Sequence, residues 1–169
     1  PVNVCQGVTS NDFSFVATGS VASIQWKYAT SAGGTYTNVV NGTPAAATYT
    51  NATGSTLTVA TTVDTPVGAY YYKAFLVGEG LGLDKCPDVE SNVATLTVNK
   101  PIVAIAASQT SYCTPGAAVT LTASGASNYS WTSAPAGFTS SSAAISVTPS
   151  VNTTYTVVGT DAFGCSNTA

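Results

Sequence analysis

The chain has 169 residues, of which 44 % are hydrophobic and only 7 % charged, with a net charge of −3. It contains no histidine, arginine or methionine. That balance argues against nucleic-acid binding, which needs a basic footprint to displace counterions, and against a site for an anionic membrane surface. No apolar run approaches the roughly 20 residues of a membrane span, so membrane insertion is not expected. No charged-then-apolar leader opens the sequence; export would place Pro1 after a cut or inside a longer chain. Alanine, valine and tyrosine make up most of the apolar excess, and threonine and serine most of the rest. β-branched and aromatic side chains suit a pleated, half-buried surface, and a disordered chain would carry more charge and fewer aromatics. The expected fold class is all-β, as one large or two small domains.

The elements follow in chain order. Val2 to Val8 reads as an edge strand holding Cys5, and Phe13 to Ala17 as the next, with Phe13, Phe15 and Ala17 on one face. Gly19 and Ser20 turn the chain into Ser23–Tyr28, where Ile24, Trp26 and Tyr28 alternate with polar neighbours. That period of two marks a half-buried strand. Ser31-Ala32-Gly33-Gly34 is a tight hairpin signal, and Tyr36 to Val40 returns from it. Asn41 to Thr53 reads as a loop. Ser55 to Thr61 alternates again, burying Leu57 and Val59. After a turn at Asp64–Gly68, Tyr70, Tyr72, Ala74 and Leu76 share one face of a strand, and Tyr71, Lys73 and Phe75 the other. Gly78 to Ser91 reads as an acidic loop, and Val93 to Val98 as the closing strand.

Asn99-Lys100-Pro101 is the one convincing linker, so the domains are expected at 1–99 and 100–169. The second repeats the grammar of the first in fewer residues. Ile102 to Ala106 leads to Cys113; Val119, Leu121 and Ala123 alternate; Gly125 turns into Tyr129 and Trp131; Ile145, Val147 and then Thr154–Val158 follow. Ser91-Asn92-Val93-Ala94 matches Ser166-Asn167-Thr168-Ala169, as expected of a tandem array. The match places Ala169 where the last strand of the second domain should begin. That domain is therefore expected to lack its last strand, with the edge beside Tyr155 open to pairing with another chain. Trp26, Tyr70, Tyr72, Trp131 and Tyr155 are the expected core anchors.

The four cysteines, Cys5, Cys86, Cys113 and Cys165, include no C-x-x-C pair, and without histidine a zinc site is not expected. Four cysteines allow three pairings. One bridge per domain is the simplest, Cys5–Cys86 and Cys113–Cys165, and implies an oxidising compartment.

No nucleophile–base pair can use histidine here, and nothing suggests a cleft between paired carboxylates. The chain is therefore read as non-catalytic and without cofactor. Glu79, Asp84, Asp88 and Glu90 are the densest acidic group. Oxygen ligands of this kind can bind calcium, but their spacing matches no calcium loop, and a solvated acidic loop is expected instead. The Asn-x-Ser/Thr sites at Asn41, Asn51, Asn128 and Asn152 are read as chance products of a threonine-rich chain. The remaining candidate surface is Tyr36, Tyr71, Lys73 and Phe75. An outward aromatic patch can stack sugars or form a protein contact; cross-strand packing that merely stabilises the sheet is the plainer reading.

Trp26 followed by Gly68-x-Tyr70-x-Tyr72 resembles an immunoglobulin-like sandwich, in which a tryptophan strand packs against a tyrosine corner. More narrowly, IQWKYATSAGGTYTNV, AYYYKAFLVG, SNVATLTV, YSWTSAPAGF and SVTPSVNTTYTVVGTDAFGCSNTA resemble the immunoglobulin-like repeat modules of large secreted and surface proteins of the Bacteroidota. The resemblance covers nearly the whole chain. It implies two tandem immunoglobulin-like β-sandwiches in an exported adhesin or filament, of the kind sent out by type IX secretion and used in attachment or gliding. The antibody-type bridge across the core has no counterpart, so the expected disulfides staple the ends of each sandwich. The implied function is a structural and adhesive module at the cell surface, touching neighbouring modules, copies of itself or surface polysaccharide. The missing strand would be supplied by a neighbour, or, the plainer reading, the chain would be a fragment of a longer repeat protein cut one strand early. The alternative is a carbohydrate-binding accessory module of a secreted enzyme.

Overall fold

A computed structural model describes residues 1–7, 9–80, 86–109 and 117–169. The protein is all-β: every regular element among the described residues is a strand. The chain divides into two compact units, Pro1–Asn99 and Lys100–Ala169.

The first unit contains β1 (Val2–Cys5), β2 (Thr9–Ser14), β3 (Val21–Ala29), β4 (Thr37–Asn38), β5 (Thr48–Thr50), β6 (Thr56–Thr61), β7 (Gly68–Gly78), β8 (Val89–Glu90) and β9 (Ala94–Asn99). One sheet runs β1-β9-β7-β3-β4, with β8 also on β7, and the other runs β2-β6-β5. β1 lies parallel to β9, Val2 opposite Leu96 and Cys5 opposite Asn99. The other strand pairs of this unit are antiparallel.

Alternation decides what the sheets bury. Along β7 the buried residues are Tyr70, Tyr72, Ala74, Leu76 and Gly78, while Tyr71, Lys73 and Phe75 lie half-buried on the other face. Trp26, 2 % exposed, sits at the centre with Phe13, Leu57, Tyr72 and Leu96. Its indole N–H donates to the Gly54 carbonyl at 2.9 Å, and its backbone N–H to the Ala52 carbonyl at 2.8 Å. The Tyr70 hydroxyl reaches back to the Pro66 carbonyl at 2.7 Å and pins the turn before β7.

Three elements differ from the sequence reading. β2 begins at Thr9 rather than Phe13, because Thr9 and Asn11 take inward positions that an apolar pattern would not show. β5 falls inside the stretch expected as loop, where Tyr49 is buried between two exposed threonines. β8 forms inside the expected acidic loop, placing Glu90 opposite Phe75.

The second unit contains β10 (Ala104–Ala107), β11 (Val119–Ser124), β12 (Asn128–Ala134), β13 (Thr139–Ser140), β14 (Ala144–Val147), β15 (Thr154–Thr160) and β16 (Ser166–Thr168). Its sheets are β10-β11-β14 and β13-β12-β15-β16. Trp131 is fully buried among Leu121, Ile145 and Val157, and its indole N–H donates to the Ser142 carbonyl at 2.8 Å. Tyr155 is half-buried, its ring edge-on to Phe138 at 5.7 Å.

β16 pairs with Val158–Thr160 of β15, and Ala169 exchanges two backbone hydrogen bonds with Val157 at 3.0 Å. With Val157 in the place of Ala74, β16 stands where β8 stands on β7, and no described strand takes the place that β9 holds beside Tyr71 and Tyr72, the strand expected to be missing. A turn brings β16 back onto β15. One Asp161 carboxylate oxygen accepts from the Phe163 and Cys165 backbone N–H groups, both at 2.9 Å. Gly164 takes φ +83°, a left-handed conformation costly for a side chain. The chain thus reverses between Thr160 and Ser166.

The core of the first unit holds several phenols. The Tyr49 hydroxyl donates to the Thr43 carbonyl at 2.9 Å and lies 3.4 Å from the Tyr72 hydroxyl. Burial pushes the Tyr72 pKa up to about 12, and burial together with the Tyr72 charge raises that of Tyr49 further. Unfolded tyrosine ionises near pH ~10, so above that pH the unfolded chain releases protons that the folded chain keeps. The stabilising contribution of these groups is fully present below pH ~10 and is lost as pH rises through the folded values. Urea unfolding between about pH 8 and pH 11.5 should show a falling midpoint. Tyr49→Phe should make that fall shallower while lowering stability at neutral pH, through loss of the bond to Thr43.

Candidate functional site

The outward residues of β3, β4, β7 and β8 build one continuous surface. Register sets Gln25 opposite Phe75 and Lys27 opposite Lys73. Two like charges facing each other across a strand pair are destabilising, and here each ammonium finds its own relief. Lys27 Nζ lies 4.0 Å from the centroid of the Phe75 ring. Lys73 Nζ lies 4.9 Å from that of Tyr36 and forms an ion pair with Glu90 at 3.0 Å. The Tyr36 and Phe75 rings tilt against each other with centroids 6.4 Å apart. The result is a ladder of cation, ring, ring, cation and carboxylate. Cation–π pairs at such exposed sites contribute about 0.5–1 kcal/mol each, and a surface ion pair up to about 1 kcal/mol.

Of the four residues expected as a contact surface, the fold brings together Tyr36, Lys73 and Phe75. Tyr71 faces the same side but stands beyond the stack, opposite Ala29 and Thr95. Lys27 and Glu90 are the members that sequence reasoning missed. Lys27 has the right parity in its strand, but only the register of β3 on β7 sets it beside Phe75. Glu90 requires β8. Lys27, Asn38, Phe75 and Glu90 border a shallow groove of about 460 Å³ on this face.

The acidic group is dispersed. A carboxylate oxygen of Asp88 accepts the Gly78 backbone N–H at 3.0 Å, Glu90 pairs with Lys73, Glu79 is exposed and Asp84 lies outside the described residues. Among the described residues no three acidic, cysteine or histidine side chains gather as metal ligands would.

The expected Cys5–Cys86 bridge is corrected. Cys86 carries a free, exposed thiol, whereas Cys5 and Cys165 are both disulfide-bonded. Cys113, the expected partner of Cys165, lies outside the described residues. The reason is the length of β7. Cys5 pairs opposite Asn99, beside the Gly68 end of β7. Cys86 sits at the Gly78 end, its N–H donating to the Glu79 carbonyl at 2.9 Å. Gly78 is required there, because the Cys86 carbonyl occupies the space a Cβ would take. At ~3.3 Å per residue β7 separates its ends by about 33 Å, and a disulfide needs Cα atoms within about 7 Å.

Alkylation of the native, oxidised protein should therefore label Cys86 and leave Cys5 and Cys165 protected, as peptide mapping would read. Cys86→Ser should shift stability by no more than about 0.5 kcal/mol, and Cys5→Ser should cost about 2–5 kcal/mol. Set against known protein families, curated proteins and solved structures, the chain matches none of them.

Proposed function

We propose that the chain is a non-catalytic structural and adhesive repeat module of an exported surface protein or filament, built from immunoglobulin-like sandwiches. The observation that carries this reading is the recurrence of one framework in both units. Trp26 and Trp131 are each buried, and each indole N–H is bound to a carbonyl three positions before an inward aliphatic residue, Leu57 or Ile145. Repetition of a self-contained packed unit is how proteins gain reach without new chemistry. The order β1-β9-β7-β3-β4 against β2-β6-β5 and the Tyr70–Pro66 bond agree with an immunoglobulin-like arrangement. Disulfide-bonded Cys5 and Cys165 fit an oxidising compartment. The second unit has no described counterpart of β9, and in this reading a strand from a neighbouring module or chain completes it there.

The test is to display one, two and four tandem copies on a non-adherent cell and measure retention under flow. Retention should rise with copy number and survive single surface substitutions, and the purified chain should turn over no ester, peptide or glycoside substrate. Four copies that adhere to nothing would sink the proposal.

A second reading, a carbohydrate-binding accessory module, draws on the paired Tyr36 and Phe75 rings. It stands behind the first because Lys27 and Lys73 already lie over those rings, so a stacking sugar would have to displace them. It predicts that Phe75→Ala or Tyr71→Ala abolishes retention on an insoluble polysaccharide column without loss of fold. A native chain that passes through every glycan column ends it.

A further inference from the structure

We propose that the first unit carries a strand-acceptor cleft along the free edge of β2, and that its occupant is an extended segment of another polypeptide with small apolar inward residues and a basic residue beside them. This does not depend on the adhesive reading.

The second unit supplies the template. Gly54 and Ser142, the carbonyls that hold the two indoles, lie three residues before Leu57 and Ile145. Leu57 pairs opposite Phe13 and Ile145 opposite Leu121, so Phe13 of β2 corresponds to Leu121 of β11. In the second unit β10 covers the free side of β11, with Ala107 opposite Leu121 and Ile105 opposite Ala123. The Ser108 N–H continues the pairing to the Thr120 carbonyl at 2.9 Å. Among the described strands of the first unit β2 pairs with β6 alone, and none takes the place of β10.

An open cleft of about 790 Å³ lies there instead. Phe13, Phe15, Trp26 and Leu76 are among its apolar lining residues, and Asp12 and Glu90 are the charged ones among the described residues. The backbone is ready to pair. The Phe15 N–H points to β6, donating to Ser55 at 3.2 Å. By the alternation of a strand the Asp12 and Ser14 N–H groups point the other way, to the free edge. Asp12 corresponds to Thr120, whose carbonyl β10 engages through Ser108.

The lining also says what fits. Trp26 pairs opposite Ala74 and Trp131 opposite Val157, so Leu76 corresponds to Gly159. A Cβ on Gly159 would stand 2.6 Å from a Val103 methyl; Val103 therefore fills over Gly159 the space that Leu76 fills by itself. An incoming strand must carry a small side chain at the Val103 position. Asp12 and Glu90 are the charges among the described lining residues, and Glu90 is already held by Lys73, so Asp12 is the carboxylate that favours a basic residue facing it and rejects an acidic one. Addition of a strand to a free edge is an established mode of peptide capture, with main-chain bonds giving affinity and alternate side chains giving selectivity.

The probe is a synthetic peptide with the sequence of residues 100–108, with alanine in place of its valine and lysine in place of Ser108, the residue whose counterpart faces Asp12, titrated into the full oxidised chain. Amide resonances of Asp12 and Ser14 should shift on binding. Asp12→Pro removes an outward N–H that the described fold does not use and is tolerated at an edge; it should weaken binding at least tenfold with thermal unfolding unchanged. Should that variant not fold, charge reversal replaces it: Asp12→Lys should weaken the lysine peptide, and a glutamate-bearing peptide should recover affinity. No binding up to about 1 mM peptide, or binding indifferent to both Asp12 variants, overturns the proposal. Concentration-dependent dimers of the chain alone that Asp12→Pro dissolves would make the occupant a second copy and overturn the partner assigned here.

Discussion

Each unit depends on one hydrogen bond that crosses its core, from a buried indole to a backbone carbonyl of the facing layer. A tryptophan buries more apolar area than any other side chain, but its N–H must find a partner or cost about 1–3 kcal/mol. Gly54 and Ser142 provide it. The bond does more than satisfy a donor: it fixes how far each sheet can slide over the other. Trp26 is held twice, since its own backbone N–H is taken by Ala52. The chain between β5 and β6 therefore belongs to the packing of β3 as much as to its own sheet.

The outer surface follows from the same register. With Trp26 fixed opposite Ala74, Lys27 must fall opposite Lys73 and Gln25 opposite Phe75. The rings of Tyr36 and Phe75 and the carboxylate of Glu90 then accommodate two ammonium groups that would otherwise repel. A surface arranged this way is occupied by its own partners, and a stacking sugar would have to displace two ammonium groups from the rings. The outer edge of β2 is the contrasting case, with outward N–H groups and an apolar floor but no described strand upon it.

What the sequence disclosed was period and parity. Strict alternation around Trp26, Tyr72 and Trp131 separated inward from outward residues, because burial in a two-layer fold demands it. Where inward positions are polar, as at Thr9 and Asn11, the signal vanished and β2 was placed too late. β5 was hidden because a single buried Tyr49 between threonines gives no repeat to read. Partnership across strands was not legible at all: Lys27 beside Phe75 and Glu90 beside Lys73 depend on register and on β8. The cysteine pairing failed for the same kind of reason. Chain position counted Cys5 and Cys86 as the bounds of one module, whereas a fully extended β7 holds them at opposite ends of it.

The parallel pairing of β1 with β9 has a mechanical meaning. Val2 lies beside Leu96 and Cys5 beside Asn99, so tension applied at Pro1 and at Asn99 draws the two strands past each other along their length. Their hydrogen bonds, with the Gln6 N–H bond to the Asn99 carbonyl at 2.7 Å, share that load together instead of opening one at a time like a peeled hairpin. Resistance to such pulling is set by the barrier to unfolding rather than by equilibrium stability. The first unit is thus braced along the line between its two ends, the direction in which a chain stretched between two surfaces is loaded.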